Sequence, residues 1–166
     1  MDEAQMKKGN ALYMMQRYEE AIVCYDKQIE INPQRELAYY NKGNALINVK
    51  RYEETIECYN KLIEINPRNE EVYYIKGLAL RHIERYEEAI KCYEKSIQLK
   101  KEEAYLNLGN ALCTIERYEE AIVYYDKTIE LNPNTEHAKI KKQQALSMLD
   151  HQQKTQKQID QFIMLK

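Results

Sequence analysis

Apolar residues recur at intervals of three and four along most of the chain, which is the period of an amphipathic α-helix and not of a strand. Between Glu70 and His82 this period predicts one helix. A second helix is predicted to begin at Arg85-Tyr86, where two glutamates follow in the first turn and suit the positive end of the helix dipole. Its buried stripe is predicted at Ala89, Ile90, Tyr93 and Ile97. The structural unit is therefore a pair of helices.

This helix pair is repeated four times. All four glycines of the chain share one position in the pattern, and the first three are 34 residues apart while the fourth follows after 32. A fixed period in this range indicates a stacked repeat protein, which favours binding over catalysis. Because glycine inside a helix costs about 1 kcal/mol relative to alanine, the glycines predict a close approach of the second helix. They are Gly9, Gly43, Gly77 and Gly109, and the small residues predicted to face them are Ala21, Ala89 and Ala121.

The three prolines predict where the second helix ends in three of the repeats, because the residue before a proline is pushed out of the helical region. In the third repeat no proline follows the second helix, and the two missing residues fall in the connection at Leu99–Lys101. We expect a tighter or more frayed turn there, without a change of topology. The proline pairs are Asn32-Pro33, Asn66-Pro67 and Asn132-Pro133.

Charge and hydropathy narrow the function classes. The chain has 166 residues, with 25 Lys and Arg against 27 Asp and Glu, and a formal net charge of -2. Nucleic-acid binding is not expected, because its electrostatic footprint is an excess of positive charge. No apolar run is long enough to span a bilayer, and no charged and then apolar leader follows Met1. We therefore expect a soluble cytoplasmic protein without membrane insertion.

Three of the four cysteines, Cys24, Cys58 and Cys92, share the repeat period. Equivalent points in successive repeats are separated by at least one helix-packing distance, about 8–10 Å. A disulfide requires Cα atoms within about 7 Å, and Cys113 lies at another phase. We therefore expect reduced thiols that act as small hydrophobic residues, with no disulfide, no metal site and no cofactor.

The chain resembles the tetratricopeptide repeat family, whose signature combines an aromatic residue, a Leu-Gly pair, a small alanine, a second aromatic and a closing proline. Gln5 replaces the leading aromatic in the first repeat, Thr55 replaces the alanine in the second, and only Leu108 supplies the leucine. The resemblance implies an all-α fold, a right-handed α-solenoid of antiparallel helix pairs with the first helices on its concave face. It also implies a binding scaffold. The matching aromatics are Tyr39, Tyr73 and Tyr105, and then Tyr25, Tyr59, Tyr93 and Tyr125.

The resemblance covers residues 2–133, and helical spacing continues beyond them. Residues 134–150 are predicted to form a C-terminal capping helix, and residues 151–166 a polar tail with an apolar end. Two interpretations of this tail stay open. It is either a continued helix with an exposed apolar end, or a docking segment for a partner, for a second copy or for the chain's own groove. The four repeats are predicted at 2–35, 36–69, 70–101 and 102–133.

The residues that the family places on its concave face form a largely apolar and aromatic groove in this chain. Such a surface fits an apolar or amphipathic peptide or helix, and Glu3, Glu71 and Glu103 favour basic flanks on it. The family's carboxylate clamp is not expected, because Met6, Glu71 and Ile75 occupy its basic places. The predicted groove residues are Met6, Asn10, Tyr13, Tyr40, Asn41, Asn44, Ile47, Tyr74, Ile75, Leu78, Leu106, Asn107 and Asn110.

The predicted function is a protein–protein interaction scaffold or adaptor that binds its partner in this groove. An enzyme is not expected, because the histidines have no recurring catalytic partner and no glycine-rich phosphate loop is present. The alternative is a structural subunit or self-associating protein, a homo-oligomer built through the terminal repeats or the tail. Solenoid ends expose apolar helix faces, and no capping helix is predicted before the first repeat.

Overall fold

The computed structural model describes residues 2–165, which contain nine α-helices and no strand. They form two compact units, one that ends at Lys101 and one that begins at Glu102. The first unit contains α1 (Asp2–Met14), α2 (Tyr18–Ile31), α3 (Glu36–Asn48), α4 (Tyr52–Ile65), α5 (Glu70–His82) and α6 (Tyr86–Gln98). The second contains α7 (Ala104–Thr114), α8 (Tyr118–Leu131) and α9 (Glu136–Met164).

The first unit is a stack of three helix pairs, α1 with α2, α3 with α4 and α5 with α6. Successive pairs pack through contacts of α2 with α3 and of α4 with α5. The core between them consists of small residues and aliphatic side chains of leucine, isoleucine, valine and methionine, together with one buried tyrosine from each second helix. A buried tyrosine contributes a large apolar area, so these rings supply much of the packing. They are Tyr25, Tyr59 and Tyr93.

The glycine of each first helix lies directly against the tyrosine ring of its own pair. A Cβ atom at Gly43 would stand 2.5 Å from Cε1 of Tyr59, closer than non-bonded carbons approach. The same distance would be 2.7 Å at Gly9, 2.6 Å at Gly77 and 2.8 Å at Gly109. The close approach predicted from the glycines is therefore confirmed. Tyrosine, however, supplies the nearest atoms, and not the alanines that the sequence suggested.

The turn inside each helix pair contains a residue in the left-handed conformation. Gln16 has a φ of 59°. Its N–H donates to the carbonyl oxygen of Tyr13, and the N–H of Arg17 donates to that of Leu12, both at 2.9 Å. These bonds satisfy the last carbonyl groups of the first helix, as a Schellman motif does. Lys50, Glu84 and Glu116 are the equivalent residues, with φ of 60°, 61° and 62°.

The connection after α6 differs from those after α2, α4 and α8, which each end at an extended asparagine. Lys100 adopts a left-handed φ of 79°. Its N–H donates to the carbonyl oxygen of Ile97 at 2.8 Å, and the N–H of Lys101 donates to that of Ser96 at 3.0 Å. The turn that lacks proline is therefore closed by hydrogen bonds, and of the two expected outcomes, a tighter or a more frayed turn, the structure has the tighter one.

All four cysteines are free thiols, and Cys24, Cys58 and Cys92 are buried. Sγ of Cys58 donates to the carbonyl oxygen of Tyr39 at 3.2 Å. Burial raises the pKa of this thiol to about 12. The periodic cysteines therefore act as small core residues, as the sequence predicted.

In the second unit, α7 and α8 form a pair and α9 packs against both. Ala138 and Ala145 are the buried residues of α9. This helix runs without interruption past residue 150, where the capping helix was predicted to give way to a tail. Residues 151–165 are all exposed. The described part of the tail is thus a continued helix, and Lys166 lies outside the described residues.

Gln143 occupies the position on α9 that glycine has on the first helices. It follows Asn132 by the same interval that separates Gly43 from Asn32. Its side chain is exposed, and the described residues contain no further helix after α9. A glutamine here has the Cβ atom that the glycines lack, so a tyrosine ring could not approach α9 as closely as it approaches Gly43.

Candidate functional site

Two open clefts run along the first helices of the first unit. One has a volume of about 330 Å³ and the other of about 240 Å³, and both are lined by Tyr13 and Asn44. They are therefore one continuous surface, which we call the inner groove. A third cleft of about 280 Å³ extends it past Leu37. The first cleft is also lined by Asn10, Met14, Leu37 and Asn41, the second by Ile47, Asn48, Tyr52, Ile75, Leu78 and His82, and the third by Glu36, Tyr40 and Asn69.

An asparagine next to the glycine holds the buried tyrosine of the same repeat. The hydroxyl of Tyr25 donates to Oδ1 of Asn10 at 3.0 Å, and that of Tyr59 donates to Oδ1 of Asn44 at 2.8 Å. Burial raises the pKa of Tyr25 to about 12 and also raises that of Tyr59, so both hydroxyls remain donors. Because Oδ1 is engaged, the Nδ2 group of each asparagine is the donor directed to other partners.

Amide side chains also connect neighbouring first helices across the floor of the inner groove. Nδ2 of Asn41 donates to Oδ1 of Asn10 at 3.0 Å, which joins α3 to α1. Nδ2 of Asn48 donates to the hydroxyl of Tyr13 at 3.1 Å and to the carbonyl oxygen of Asn44 at 2.8 Å. The groove is thus fixed by hydrogen bonds as well as by packing, which lowers the entropic cost of binding.

The third repeat breaks this pattern, because Leu78 stands where the first two repeats have asparagine. The buried hydroxyl of Tyr93 and the buried Nε of Arg81 have no acceptor among the described residues. Burial raises the pKa of Tyr93, and the nearby positive charge of Arg81 opposes that rise. In exchange for the lost hydrogen bond, Leu78 adds an apolar wall to the second cleft.

Aromatic rings border the second cleft. The rings of Tyr52 and His82 are stacked, with centroids 4.7 Å apart and an interplanar angle of 4°. Tyr13 contacts Tyr18 edge to face at 5.3 Å. The groove prediction missed Tyr52 because it considered first helices alone. The left-handed turn at Lys50 brings the start of α4 back to the groove. Because this turn contains no glycine, the sequence does not predict it.

Met6 is the predicted groove residue that the structure removes from the surface. It is 4% exposed, belongs to the core, and lies 3.7 Å through its Sδ from Nδ2 of Asn41. The Met6 side chain faces α3 and not the solvent-exposed surface of the inner groove. The other predicted residues of the first unit are partly or fully exposed: Asn10, Tyr13, Tyr40, Asn41, Asn44, Ile47, Tyr74, Ile75 and Leu78.

Three predicted groove residues, Leu106, Asn107 and Asn110, lie on α7 in the second unit. All three are partly exposed. Oδ1 of Asn110 accepts a hydrogen bond from the hydroxyl of Tyr125 at 3.0 Å, so this pair reproduces the asparagine–tyrosine pairing of the first two repeats.

Two of the glutamates that were predicted to favour basic flanks are already paired. Glu3 forms an ion pair with Lys7 at 3.1 Å, and Glu71 forms one with Lys101 at 2.7 Å. Nζ of Lys101 also lies 5.5 Å from the centroid of the Tyr74 ring, within the range of a cation–π contact. The expected preference for basic flanks therefore loses most of its basis in the first unit.

Within residues 2–165, no group of three or more His, Cys, Asp or Glu side chains is placed to hold a metal ion. None of the helices described there combines the length and apolar character needed to cross a membrane. The groups that line the inner groove are mainly apolar, phenolic and amide side chains, which supply contact area and hydrogen bonds.

Profiles of one protein family match most of the chain. The profile described as Tetratricopeptide repeat matches residues 37–69, 70–103 and 102–135, and the one described as TPR repeat matches 9–49. No curated protein matches the chain significantly.

Several solved structures share the fold. The crystal structure of MamA protein aligns with a TM-score of 0.81 and 22% identity, over 90% of this chain and 88% of that one. MamA 41-end from Desulfovibrio magneticus RS-1 aligns with a TM-score of 0.76 and 25% identity, over 81% of this chain and 77% of that one. YrrB is described as a TPR protein with an unusual peptide-binding site. It aligns with a TM-score of 0.74 and 24% identity, over 88% of this chain and 81% of that one.

Proposed function

Since this chain belongs to the tetratricopeptide repeat family of α-solenoid interaction scaffolds, we propose that it binds a segment of a partner protein in the inner groove. The segment is an apolar or amphipathic peptide or helix. The chain then acts as a scaffold or adaptor, in which the helices hold the groove and the groove selects the partner.

The continuity of the inner groove is the observation that carries this proposal. Tyr13, Ile47 and Leu78 line it and remain partly exposed, so an apolar ligand would cover surface that now contacts water. Burial of such surface contributes about 25 cal/mol per Å² before the costs of association. The peptide-binding site named for YrrB lends support from a protein of the same fold.

The chemistry of the groove specifies the ligand further. A helix laid along it would direct residues at i, i+3 or i+4, and i+7 into the clefts. The amide groups of Asn10 and Asn44 suit oxygen atoms of the ligand backbone or of its polar side chains. Because Glu71 is paired with Lys101, the face of the ligand that enters the groove is proposed to be uncharged.

The remaining assignments belong to the same proposal. We propose a non-enzymatic protein of the cytoplasm that neither binds nucleic acid nor inserts into membranes, with Leu106, Asn107 and Asn110 as partner contacts of α7. A net charge of -2 offers no excess positive charge for phosphates, and free buried thiols fit a reducing compartment. The repeat boundaries stay predictions at 2–35, 36–69, 70–101 and 102–133, with 134–150 and 151–166 after them.

Selection from a phage-displayed library of random peptides tests the groove directly. Peptides selected on the full chain would be synthesised and their Kd measured by calorimetry against wild type, Leu37→Asp and Val23→Asp. Leu37 and Val23 are 51% and 53% exposed, so aspartate costs little folding free energy at either site. Leu37 lines the inner groove, whereas Val23, on α2, does not.

We expect the selected peptides to be apolar or amphipathic and to bind Leu37→Asp at least tenfold more weakly than wild type. Val23→Asp should bind them as wild type does. Equal binding to wild type and Leu37→Asp, equal losses in both variants, or a library that yields no binding peptide would each contradict the proposal. Circular dichroism of the three proteins controls for folding.

A further inference from the structure

The second half of α9 carries exposed apolar side chains. Ile159 is 48% exposed and Ile163 is 65% exposed, although isoleucine is among the residues most often buried. Residues 151–165 are all exposed, and α9 ends at Met164, so about 21 Å of helix, at 1.5 Å per residue, extends past the packed part of the second unit. An isolated helix of this length is marginal in water, and a packing partner would stabilise it.

A cleft of about 360 Å³ lies where this extension leaves the second unit. One wall is the start of α8 with the turn before it, and the other wall is α9. The residues of α9 that line the cleft lie between 148 and 156, directly before the exposed isoleucines in the helix. It is lined by Glu116, Tyr118, Met148, His151, Gln152, Thr155 and Gln156.

The exposed isoleucines and the cleft occupy one face of α9. At about 100° per residue, Met148, Gln152 and Thr155 project in nearly the same direction as Ile159 and Ile163. This face contains no aspartate or lysine between residues 148 and 163. The charged side chains of that stretch, Asp150, Lys154, Lys157 and Asp160, project from the other sides of the helix.

We propose that a second copy of this chain covers this face, with the two α9 helices antiparallel about a two-fold axis near Gln156. The axis places Ile159 and Ile163 of one copy opposite residues 148–153 of the other, where the cleft lies. The same operation places the second copy's isoleucines in the first copy's cleft, which makes the interface self-complementary. Residues 150–165 contain two lysines and two aspartates, so the paired segments do not repel each other by net charge.

Sedimentation equilibrium over a range of protein concentrations tests this dimer. We expect wild type to dimerise and the double variant Ile159→Asp/Ile163→Asp to dimerise at least tenfold more weakly. The control is Met164→Asp, because Met164 is 87% exposed and projects from the opposite side of α9. It should dimerise like wild type. Since every residue involved lies in the second unit, the result is independent of peptide binding in the inner groove.

A cross-link locates the axis. Gln156→Cys should form an intermolecular disulfide under mild oxidation, whereas Lys157→Cys, which projects away from the proposed partner, should not exceed wild type. The proposal is overturned by a monomeric wild type at all concentrations, by a dimer that survives Ile159→Asp/Ile163→Asp, or by equal losses in Met164→Asp. Equal cross-linking of the two cysteine variants would overturn it too.

Discussion

The tyrosines that pack on the glycines are equivalent in sequence but differ in hydrogen bonding. Tyr59 donates to Asn44, whereas Tyr93, beside Leu78, has no acceptor among the described residues. A typical buried hydrogen bond contributes about 1 kcal/mol net, and a buried polar group left without one costs about 1–3 kcal/mol. At the scale of the residue, the third repeat therefore gives up stability to gain an apolar groove wall.

Removing the two hydroxyls should have unequal effects. We expect Tyr59→Phe to lower the free energy of unfolding by about 1 kcal/mol, because a hydrogen bond is lost. Tyr93→Phe should leave it unchanged or raise it, because the hydroxyl it removes has no acceptor. Urea denaturation of both variants measures the difference, and each serves as the control for the other. Equal destabilisation would show that the Tyr93 hydroxyl is satisfied in solution.

At the scale of the element, the turns inside the helix pairs contain backbone strain that a substitution could relieve. Gln16, Lys50, Glu84 and Glu116 all adopt the left-handed conformation that glycine adopts at no steric cost. Residues with a Cβ atom are strained there by about 1 kcal/mol. The helices thus end in a motif that normally favours glycine, held in place by its hydrogen bonds and by the packing of both helices.

Substitution of Glu84 by glycine should stabilise the protein. We expect the free energy of unfolding to rise by about 0.5–1 kcal/mol, because relief of the strain outweighs the added freedom of the unfolded chain. The matched control is Lys91→Gly in the exposed middle of α6, which should lower it by about 1 kcal/mol. Thermal and urea unfolding report both changes. A loss of stability in Glu84→Gly would mean that the left-handed φ of 61° is not maintained in solution.

Helix positions were predictable from the sequence because they depend on local rules. The helix predicted between Glu70 and His82 has those bounds in the structure, and α2, α4 and α8 end before the prolines as predicted. The sequence predicted an altered turn at Lys100 but not whether it would be tighter or frayed, because a left-handed lysine has no sequence signal. Burial of Met6 and the loss of an acceptor for Tyr93 also escaped prediction, since both depend on which side chains meet across helices.

At the scale of the whole molecule, uncharged tyrosine hydroxyls are buried in both units, and an uncharged cysteine thiol is buried in the first. Burial raises the pKa of Tyr25 from 10.0 and of Cys58 from 9.0, each to about 12. It also raises the pKa of Tyr125 in the second unit. In the unfolded chain these groups ionise at their ordinary pKa, so alkali favours unfolding. Their contribution to stability is complete below about pH 9 and is lost as the pH rises towards the folded pKa values.

Stability should therefore fall steeply above pH 9. We expect each buried tyrosine to remove about 1 kcal/mol from the free energy of unfolding between pH 9 and 11, because one pKa unit corresponds to about 1.4 kcal/mol. Urea midpoints measured across this range test the expectation. Tyr25→Phe should show a shallower decline than wild type. An identical pH profile for Tyr25→Phe would rule out a contribution from this hydroxyl.

Gln143 has a consequence for how a further helix pair could be added to this chain. Each of the four glycines that precede it leaves room for the ring of one tyrosine. The following helix supplies that ring. Gln143 carries a side chain at this position, so α9 lacks the room that the glycines leave for a tyrosine ring. A lengthened protein could then be made by placing glycine there and supplying, after α9 is shortened, a copy of the segment that forms α8. Modules could be added in this way without redesign of those already present.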